Sequence, residues 1–392
     1  MQNFVYYAPT KVVFGRDAEK KTGALIREQG CKKAMVVYGG GSVKRSGLLD
    51  RVLASLDESG VSHIELGGVV PNPRLSKVRE GIGLVRREKA DFLLSVGGGS
   101  VIDTAKAIGY GVPYEGDVWD FYTGKATAQA SLPMGCVLTI AAAGSEMSNS
   151  SVITNEDGGL KRGCKNDLSR QRFAVLNPEL TYSLPPYQTA NGAVDIMMHT
   201  MERYFTTEKD LLLTDALAEG LMRTVMECAH TLRGDPENYA ARANMMWASS
   251  LSHNGLMGCG TVEDWASHQI EHELSGMFDC SHGAGLAAIW ASWARYVMDA
   301  DCARFARFAV NVMGVPRGAD DRATAERGIA AAEDFYRSIE MPTNIRELGY
   351  ELSGEQINEL AEKCTYYGTR TIGSFKKLGR EDIVKIYEMA RG

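Results

Sequence analysis

Residues 90–111 read ADFLLSVGGGSVIDTAKAIGYG, and the order of features in this stretch decides the fold. A short apolar run meets three glycines, and a helical pattern follows. Residues 32–42, KKAMVVYGGGS, repeat the first two steps. Around these units, residues 17–30, 47–59 and 74–88 read as helices, and residues 63–68, HIELGG, read as a strand. Pro71-Asn72-Pro73 is a turn, residues 134–140, MGCVLTI, form another buried strand, and residues 4–15 read as one or two short strands ending at Gly15. Strands alternating with helices predict a mostly parallel α/β sheet. The pattern changes at Pro185-Pro186, after FAVLNPELTYSLPPY. From about residue 187 the apolar periodicity is helical throughout. The expected organisation is an α/β domain over 1–185 and an all-α domain over 186–392.

Composition narrows the class. The 392 residues are 44% hydrophobic and 23% charged, ordinary for a chain that buries large cores. A net charge of −6 argues against nucleic acid, which selects a basic face. No apolar run is long enough to span a bilayer, and the start, MQNFVYYAPTKVVFG, lacks the pattern of a secretory signal. The eight cysteines form no CxxC pair and read as reduced thiols, which points to the cytoplasm.

The glycine turns suggest a phosphate site. A glycine lets a phosphate approach the backbone, and the helix start supplies N–H groups and a favourable dipole. Gly97-Gly98-Gly99-Ser100, ahead of the helix carrying Asp103 and Lys106, is the better candidate for a pyrophosphate. Neither turn fits G-x-G-x-x-G in its full context, and no Gly-Lys-Ser/Thr follows to make a P-loop. At Gly39-Gly40-Gly41-Ser42 the strand end carries no acid, and Lys44 and Arg45 follow. An acid there would pair with a ribose 2′-hydroxyl and repel a 2′-phosphate. The residues present predict a preference for NADP(H) over NAD(H).

A second constellation lies in the helical part. Asp195 and His199 stand at i, i+4 in NGAVDIMMHTMERYF, on one helix face. His268 and His272 share the same spacing in EDWASHQIEHELSGMFDCSHGAG, where Gly276 offers a helix stop, Ser281 a cap for a new helix, and His282 follows. Four of the seven histidines fall in these two segments. Asp195, His199, His268 and His282 make a four-ligand shell for a divalent transition metal, with Cys280 as an alternative ligand. A satisfied buried hydrogen-bond network is the competing reading. Val194, Met197, Met198 and Met201 imply a buried helix, and a buried Asp or His must find a partner.

Together these residues resemble the iron-containing (metal-dependent group III) alcohol dehydrogenase family, closest to its butanol dehydrogenase and NADPH-dependent aldehyde reductase branch. The likeness spans the chain: NFVYYAPTKVVFG, YGGGSVKRSGLLD, the PNP turn, GGGSVIDTAK, the GSE loop, NPELTYSLPP and the two histidine segments. The resemblance implies a dehydroquinate synthase-like fold, with a dinucleotide-binding domain, a helical domain and an active site in the cleft between them. It also implies a homodimer. The family's metal ligands fall on Asp195, His199, His268 and His282, holding Fe2+ or Zn2+, and a nearby family histidine falls on His272. Cofactor contacts fall on Gly40, Gly41, Ser42, Asn72, Gly98, Gly99, Ser100 and Thr139, and Lys161 resembles the lysine that reaches the nicotinamide ribose. Read without the family, Lys161 is a solvated loop lysine. The sequence departs from the family at Ala142-Ala143, where a glycine and a threonine are expected, so any contact of that threonine hydroxyl is lost.

The implied chemistry is metal-assisted hydride exchange between a nicotinamide and a small aldehyde or primary alcohol, with His272 in the proton route. Trp265, Met147 and Asn149 are candidates for the substrate pocket, and Trp265 reads equally as core. Two rivals remain: a dehydroquinate synthase-like lyase, which needs a basic site for an anionic substrate, and a non-catalytic metal- or nucleotide-binding protein. A polyol-oxidising branch of the family is a third variant.

Overall fold

A computed structural model describes residues 1–392. Contacts divide it into two units, Tyr7–Leu184 and Pro185–Gly392, the latter joined by Met1–Tyr6. The sequence placed those first residues in the α/β domain. They are instead tied to the helical unit, with the Gln2 N–H donating to Gly260 O at 2.9 Å and the Met1 ammonium to Lys209 O at 3.1 Å.

The first unit holds eight strands: β1 (Lys11–Phe14), β2 (Lys33–Gly39), β3 (Ser62–Val69), β4 (Phe92–Gly97), β5 (Met134–Leu138), β6 (Ser150–Asn155), β7 (Leu160–Lys165) and β8 (Phe173–Leu176). Six form one sheet in the order β1-β8-β5-β4-β2-β3, and every pairing in it is parallel. Residues 4–10 are not strand, so the expected first strand shrinks to Lys11–Phe14. β6 and β7 pair as an antiparallel hairpin outside the sheet, which the sequence pattern did not announce.

β4 lies inside the sheet between β2 and β5, and Phe92, Leu93, Leu94 and Val96 are fully buried. A parallel strand covered on both faces reads as a continuous apolar run. Side chains alternate between the two cores. Met35, Val37 and Leu93 join one with the helices Leu75–Glu88 and Gly99–Gly111; Ala34, Val36, Phe92, Leu94 and Val96 join the other with Thr22–Glu28 and Leu48–Glu58.

The topology then makes a site. After β2 the chain moves outward to β3, and after β4 it moves the other way, to β5. β2 and β4 are neighbours, so their carboxyl ends flank a topological switch point, where open α/β sheets bind ligands. Both glycine turns sit there.

The second unit is helical, built on nine α-helices from Pro186–Tyr204 to Arg380–Ala390. At its centre runs His282–Val297, buried along nearly its whole length. Ala284, Ala287, Ala288, Ala291 and Ala294 let neighbours approach, while Trp290 and Trp293 fill the space between them. The helices Pro186–Tyr204, Ala266–Phe278, Asp321–Ser338 and Arg380–Ala390 pack around it. Ala266–Phe278 runs past Gly276, the expected stop, and ends where Asp279 turns left-handed at φ 55°. Ser281 does hold the N-cap position of the central helix, but its side chain makes no capping bond. Asn191 Oδ1 accepts the Ala284 N–H at 2.8 Å instead, so the cap comes from the neighbouring helix.

Candidate metal centre and cofactor turns

Three helices bring the predicted metal ligands together. Asp195 and His199 come from Pro186–Tyr204, His268 from Ala266–Phe278, and His282 from the first residue of the central helix. Ligand atoms of Asp195, His268 and His282 lie within 4.8 Å of one another. Asp195 Oδ1 stands 3.7 Å from His282 Nε2 and 4.0 Å from His268 Nε2. Donors around a tetrahedral ion with bonds of ~2.1 Å are separated by about 3.4 Å, so small side-chain shifts seat an ion.

His199 stands beside this set. Its Nδ1 lies 2.9 Å from the Asp195 carbonyl and 3.0 Å from Asp195 Oδ1, and its ring centroid is 4.6 Å from that of His268. An Nδ1–H donated to the carbonyl leaves Nε2 as the ring's available donor to a metal. His272 is half-buried, with its ring 5.7 Å from His282, and it forms a second close group with Glu271 and His282.

The carboxylates behind these histidines argue for a metal. Glu202 Oε1 accepts from His268 Nδ1 at 2.7 Å, and Glu271 accepts from His282 Nδ1. A carboxylate on the far nitrogen fixes the tautomer and turns Nε2 toward an ion. His268 Nε2 is buried without a hydrogen-bond partner, and Asp195 Oδ1, equally buried, faces only imidazole nitrogens, His199 Nδ1 at 3.0 Å among them. Burying polar atoms without a partner is costly, and an ion satisfies both at once. Burial raises the Asp195 carboxyl, but the neighbouring imidazoles, His199 first and then His282, outweigh it and hold the group well below the usual range. Burial drives His268 strongly toward the neutral form. An ionised carboxylate and a neutral imidazole are the states that bind metal. Burial lifts Glu202 to about 7, against the pull of the His268 N–H. Cys280 is buried and faces Ser275 Oγ at 3.5 Å, so it is not one of the close ligand atoms.

Sequence reasoning missed Glu202 and Glu271. Each lies three residues after a histidine it does not serve: Glu202 follows His199 but bonds His268, and Glu271 follows His268 but bonds His282. It also missed His253, whose ring lies 4.1 Å from His199. Trp265 is not core. It is half-buried at φ 65°, unusual for a bulky residue, with its ring 5.2 Å from His268 and the Arg203 guanidinium 4.7 Å from the indole. Its Nε1–H donates to Glu263 at 2.6 Å.

In the α/β unit the cofactor candidates cluster by topology. Gly40 and Ser42 are exposed at the end of β2, and Gly41 adopts φ 121°, a conformation that favours glycine. Gly98 caps the helix Gly99–Gly111, which begins with Gly99 and Ser100. A helix start leaves N–H groups without intrahelical acceptors. A Cβ on Gly98 would come within 2.2 Å of Ile140 Cγ2, so the turn closes only with glycine. Thr139 N–H donates to Gly97 O at 3.1 Å, bringing the end of β5 to the same place. Asn72 is buried, with φ 50°. Lys161 is not a solvated loop residue: it is 5% exposed and lies on β7 opposite Thr154. On the neighbouring strand β3, Glu65 accepts from Tyr38 OH at 2.8 Å; Lys44 Nζ lies 4.9 Å from the same tyrosine ring.

Comparison with known proteins decides the family. Residues 9–178 match the iron-containing alcohol dehydrogenase domain, and residues 189–391 match the C-terminal domain of the Fe-containing alcohol dehydrogenase family. The chain belongs to the iron-containing alcohol dehydrogenases. It is 41% identical over 388 residues to probable NADH-dependent butanol dehydrogenase 2 of Bacillus subtilis, covering 98% of this chain and 99% of the relative. It is 37% identical over 396 residues to the NADPH-dependent aldehyde reductase YqhD of Escherichia coli, covering 100% of both. Among solved structures, NADH-dependent butanol dehydrogenase A of Thermotoga maritima superposes with a TM-score of 0.96 at 37% identity, over 100% of this chain and 99% of the other. As an iron-containing alcohol dehydrogenase of the butanol dehydrogenase and aldehyde reductase branch, the protein is an oxidoreductase of alcohols and aldehydes that uses a nicotinamide cofactor and a metal.

Proposed function

We propose that the protein reduces small aliphatic aldehydes such as butanal with NADPH, at a divalent iron or zinc ion held by Asp195, His199, His268 and His282. The observation that carries this reading is the convergence of buried Asp195 Oδ1 with His268 Nε2 at 4.0 Å and His282 Nε2 at 3.7 Å, the His268 nitrogen having no hydrogen-bond partner, with Glu202 and Glu271 behind the two imidazoles. When bound, such an ion would supply Lewis acidity toward the substrate oxygen and a nicotinamide would supply or accept hydride. The chain's own residues do the rest. Glu202 and Glu271 hold the tautomers of His268 and His282. His272, half-buried beside His282, relays the proton of the alcohol oxygen, a role open to an imidazole because its ring nitrogens can both give and take a proton. Trp265, held by Arg203 and Glu263, supplies an apolar wall near the histidines.

The residues that would hold the cofactor are those of the two glycine turns, with Gly98, Gly99 and Ser100 offered to its pyrophosphate and Gly40, Gly41, Ser42, Asn72, Thr139 and Lys161 around them. Support comes from the switch point between β2 and β4 and from the burial of Lys161. Preference for NADP(H) rests on Lys44 and Arg45 after the first turn, with Glu65 engaged by Tyr38. The test is kcat/KM for butanal reduction with NADPH and with NADH, in wild type and in Lys44→Ala. The expected result is a higher value with NADPH that falls in the variant. Equal or better use of NADH, unchanged by the substitution, contradicts the preference while leaving the reductase reading intact.

The protein is expected to act in the cytoplasm, which its eight free cysteines support, and as a homodimer. No helix is long and apolar enough to cross a membrane. Support for a second copy comes from apolar surface: Phe4 is 53% exposed, Val5 94% and Leu212 77%. Light scattering on the purified chain should return twice the chain mass.

A further inference from the structure

The helix behind the second glycine turn carries a lysine whose ammonium is engaged by a neighbouring stretch of chain. Lys106 is 0% exposed. Its Nζ donates to Ser145 O and Ser150 O at 2.7 Å, to Ser148 O at 3.1 Å, and to the hydroxyls of Ser145 and Ser148 at 3.0 Å. An ammonium has three N–H donors, so the oxygens share them. All of these oxygens come from one stretch, Ser145–Ser150, which runs from the loop after β5 into the first residue of β6. One turn earlier on the same helix, Asp103 Oδ1 accepts from Ser145 Oγ at 2.5 Å and Oδ2 from Val152 N–H at 2.8 Å. The i, i+3 spacing puts Asp103 and Lys106 on one face. One side chain collects the loop's acceptors and the other its donors, which is how a buried loop satisfies its polar groups.

The start of that loop abuts the glycine turn. Thr139 N–H bonds Gly97 O, Ile140 leaves no room for a Cβ on Gly98, and Ala143 Cβ would lie 3.3 Å from a Cβ on Gly99. Further on, Arg170 Nη1 donates to Met147 O at 2.9 Å. The helix that presents its N-terminus at the turn thus also anchors the far end of the loop closing over it. We propose that Lys106, together with Asp103, is a positioning residue for the cofactor: it fixes residues 139–150 against the Gly97–Ser100 turn and thereby sets dinucleotide affinity. This rests on the reading that the turn takes the pyrophosphate.

The test compares wild type, Lys106→Met and Ser145→Ala by NADPH dissociation constant, KM for butanal, metal content and amide hydrogen exchange. Lys106→Met should weaken NADPH binding by about tenfold or more and speed exchange within 139–152, with KM for butanal and metal content held within about twofold. Ser145→Ala, which removes one acceptor of Lys106 and the donor to Asp103, should shift the same quantities less. Unchanged NADPH affinity despite faster exchange in the loop would overturn the proposal, as would equal losses in metal content and butanal KM, which mark general destabilisation. If Lys106→Met does not fold, Ser145→Ala decides alone, and unchanged affinity there overturns it. Wild-type protein that binds neither NADPH nor NADH would remove the reading of the glycine turn and this inference with it.

Discussion

Gly283→Ala is a one-carbon change whose effect on the metal centre follows from the coordinates. Gly283 succeeds His282 at the start of the central helix. A Cβ there would stand 2.2 Å from Asn191 O and 2.9 Å from Asn191 C and Cα. All three are backbone atoms of the helix Pro186–Tyr204, so no rotamer relieves the contact. Ordinary contact begins at 3.4 Å, so the helices must separate by 3.4 − 2.2 = 1.2 Å at this point. Asp195 lies one turn beyond Asn191 on one helix, and His282 adjoins Gly283 on the other. The separation therefore falls on the Asp195–His282 pair, 3.7 Å apart before the change. It also pulls the Ala284 N–H from its cap on Asn191 Oδ1. Metal–ligand distances tolerate only about ±0.2 Å, so a displacement of this size should lower metal affinity by about 100-fold or more. Overpacking of this kind adds a stability loss of about 1–3 kcal/mol. Metal retained after dialysis against a graded chelator series reads the first effect, and a thermal melt of the metal-free protein reads the second. Metal affinity within about threefold of wild type would refute the reasoning, because it would mean the ligand set does not depend on this close approach.

Other outcomes follow from the same structure. Glu202→Gln and Glu271→Gln, each near in shape to the native side chain, should weaken metal binding about 10–100-fold in chelator competition while the fold persists. Burial pulls Lys106 down to about 8, against the attraction of Asp103, Glu146 and Cys136, and Arg170 adds to the lowering. Between pH 8 and 10.5 the unfolded chain keeps that proton and the folded one loses it, so stability from this group rises with pH across that window. Relative to Lys106→Met, wild type should gain about 1.4 kcal/mol per pH unit in denaturant titrations there, and a flat or falling difference would contradict the burial argument. Arg304 binds Asp215 through two nitrogens at 2.6 and 2.8 Å and donates to Tyr204 O at 2.7 Å. Arg304→Met strands a buried carboxylate that only Arg307, 3.3 Å away, still faces, so the loss should be about 3 kcal/mol, read as a lowered melting temperature.

The sequence made the α/β unit legible because parallel strands buried on both faces leave a continuous apolar run, as in Phe92–Val96, and the glycine turns punctuate them. It did not show that β2 and β4 are neighbours, and only that adjacency makes their turns a switch point. The β6–β7 hairpin was missed because Lys161, Arg162 and Lys165 give β7 a solvated appearance; two of them, Lys161 and Arg162, are buried. The metal ligands were visible as i, i+4 pairs, since one helix face is a local property. Their supporting carboxylates were not, because Glu202 and Glu271 each serve a histidine on another helix. Met1–Tyr6 joined the other unit through backbone and side-chain bonds to residues 206 or more positions away, which no local pattern records. Lys106 was visible only as a residue of the helix behind the second glycine turn, and nothing local in GGGSVIDTAK shows that it holds the Ser145–Ser150 stretch.

The most direct test of the central claim is NADPH oxidation with butanal on chelator-stripped protein, before and after ferrous iron or zinc is restored, with Asp195→Asn alongside. The account predicts no turnover without metal, recovery with one of the two ions, and no recovery in the variant. Stripped protein that turns over at the wild-type rate, or a variant that recovers fully, would contradict a metal centre at Asp195, His199, His268 and His282.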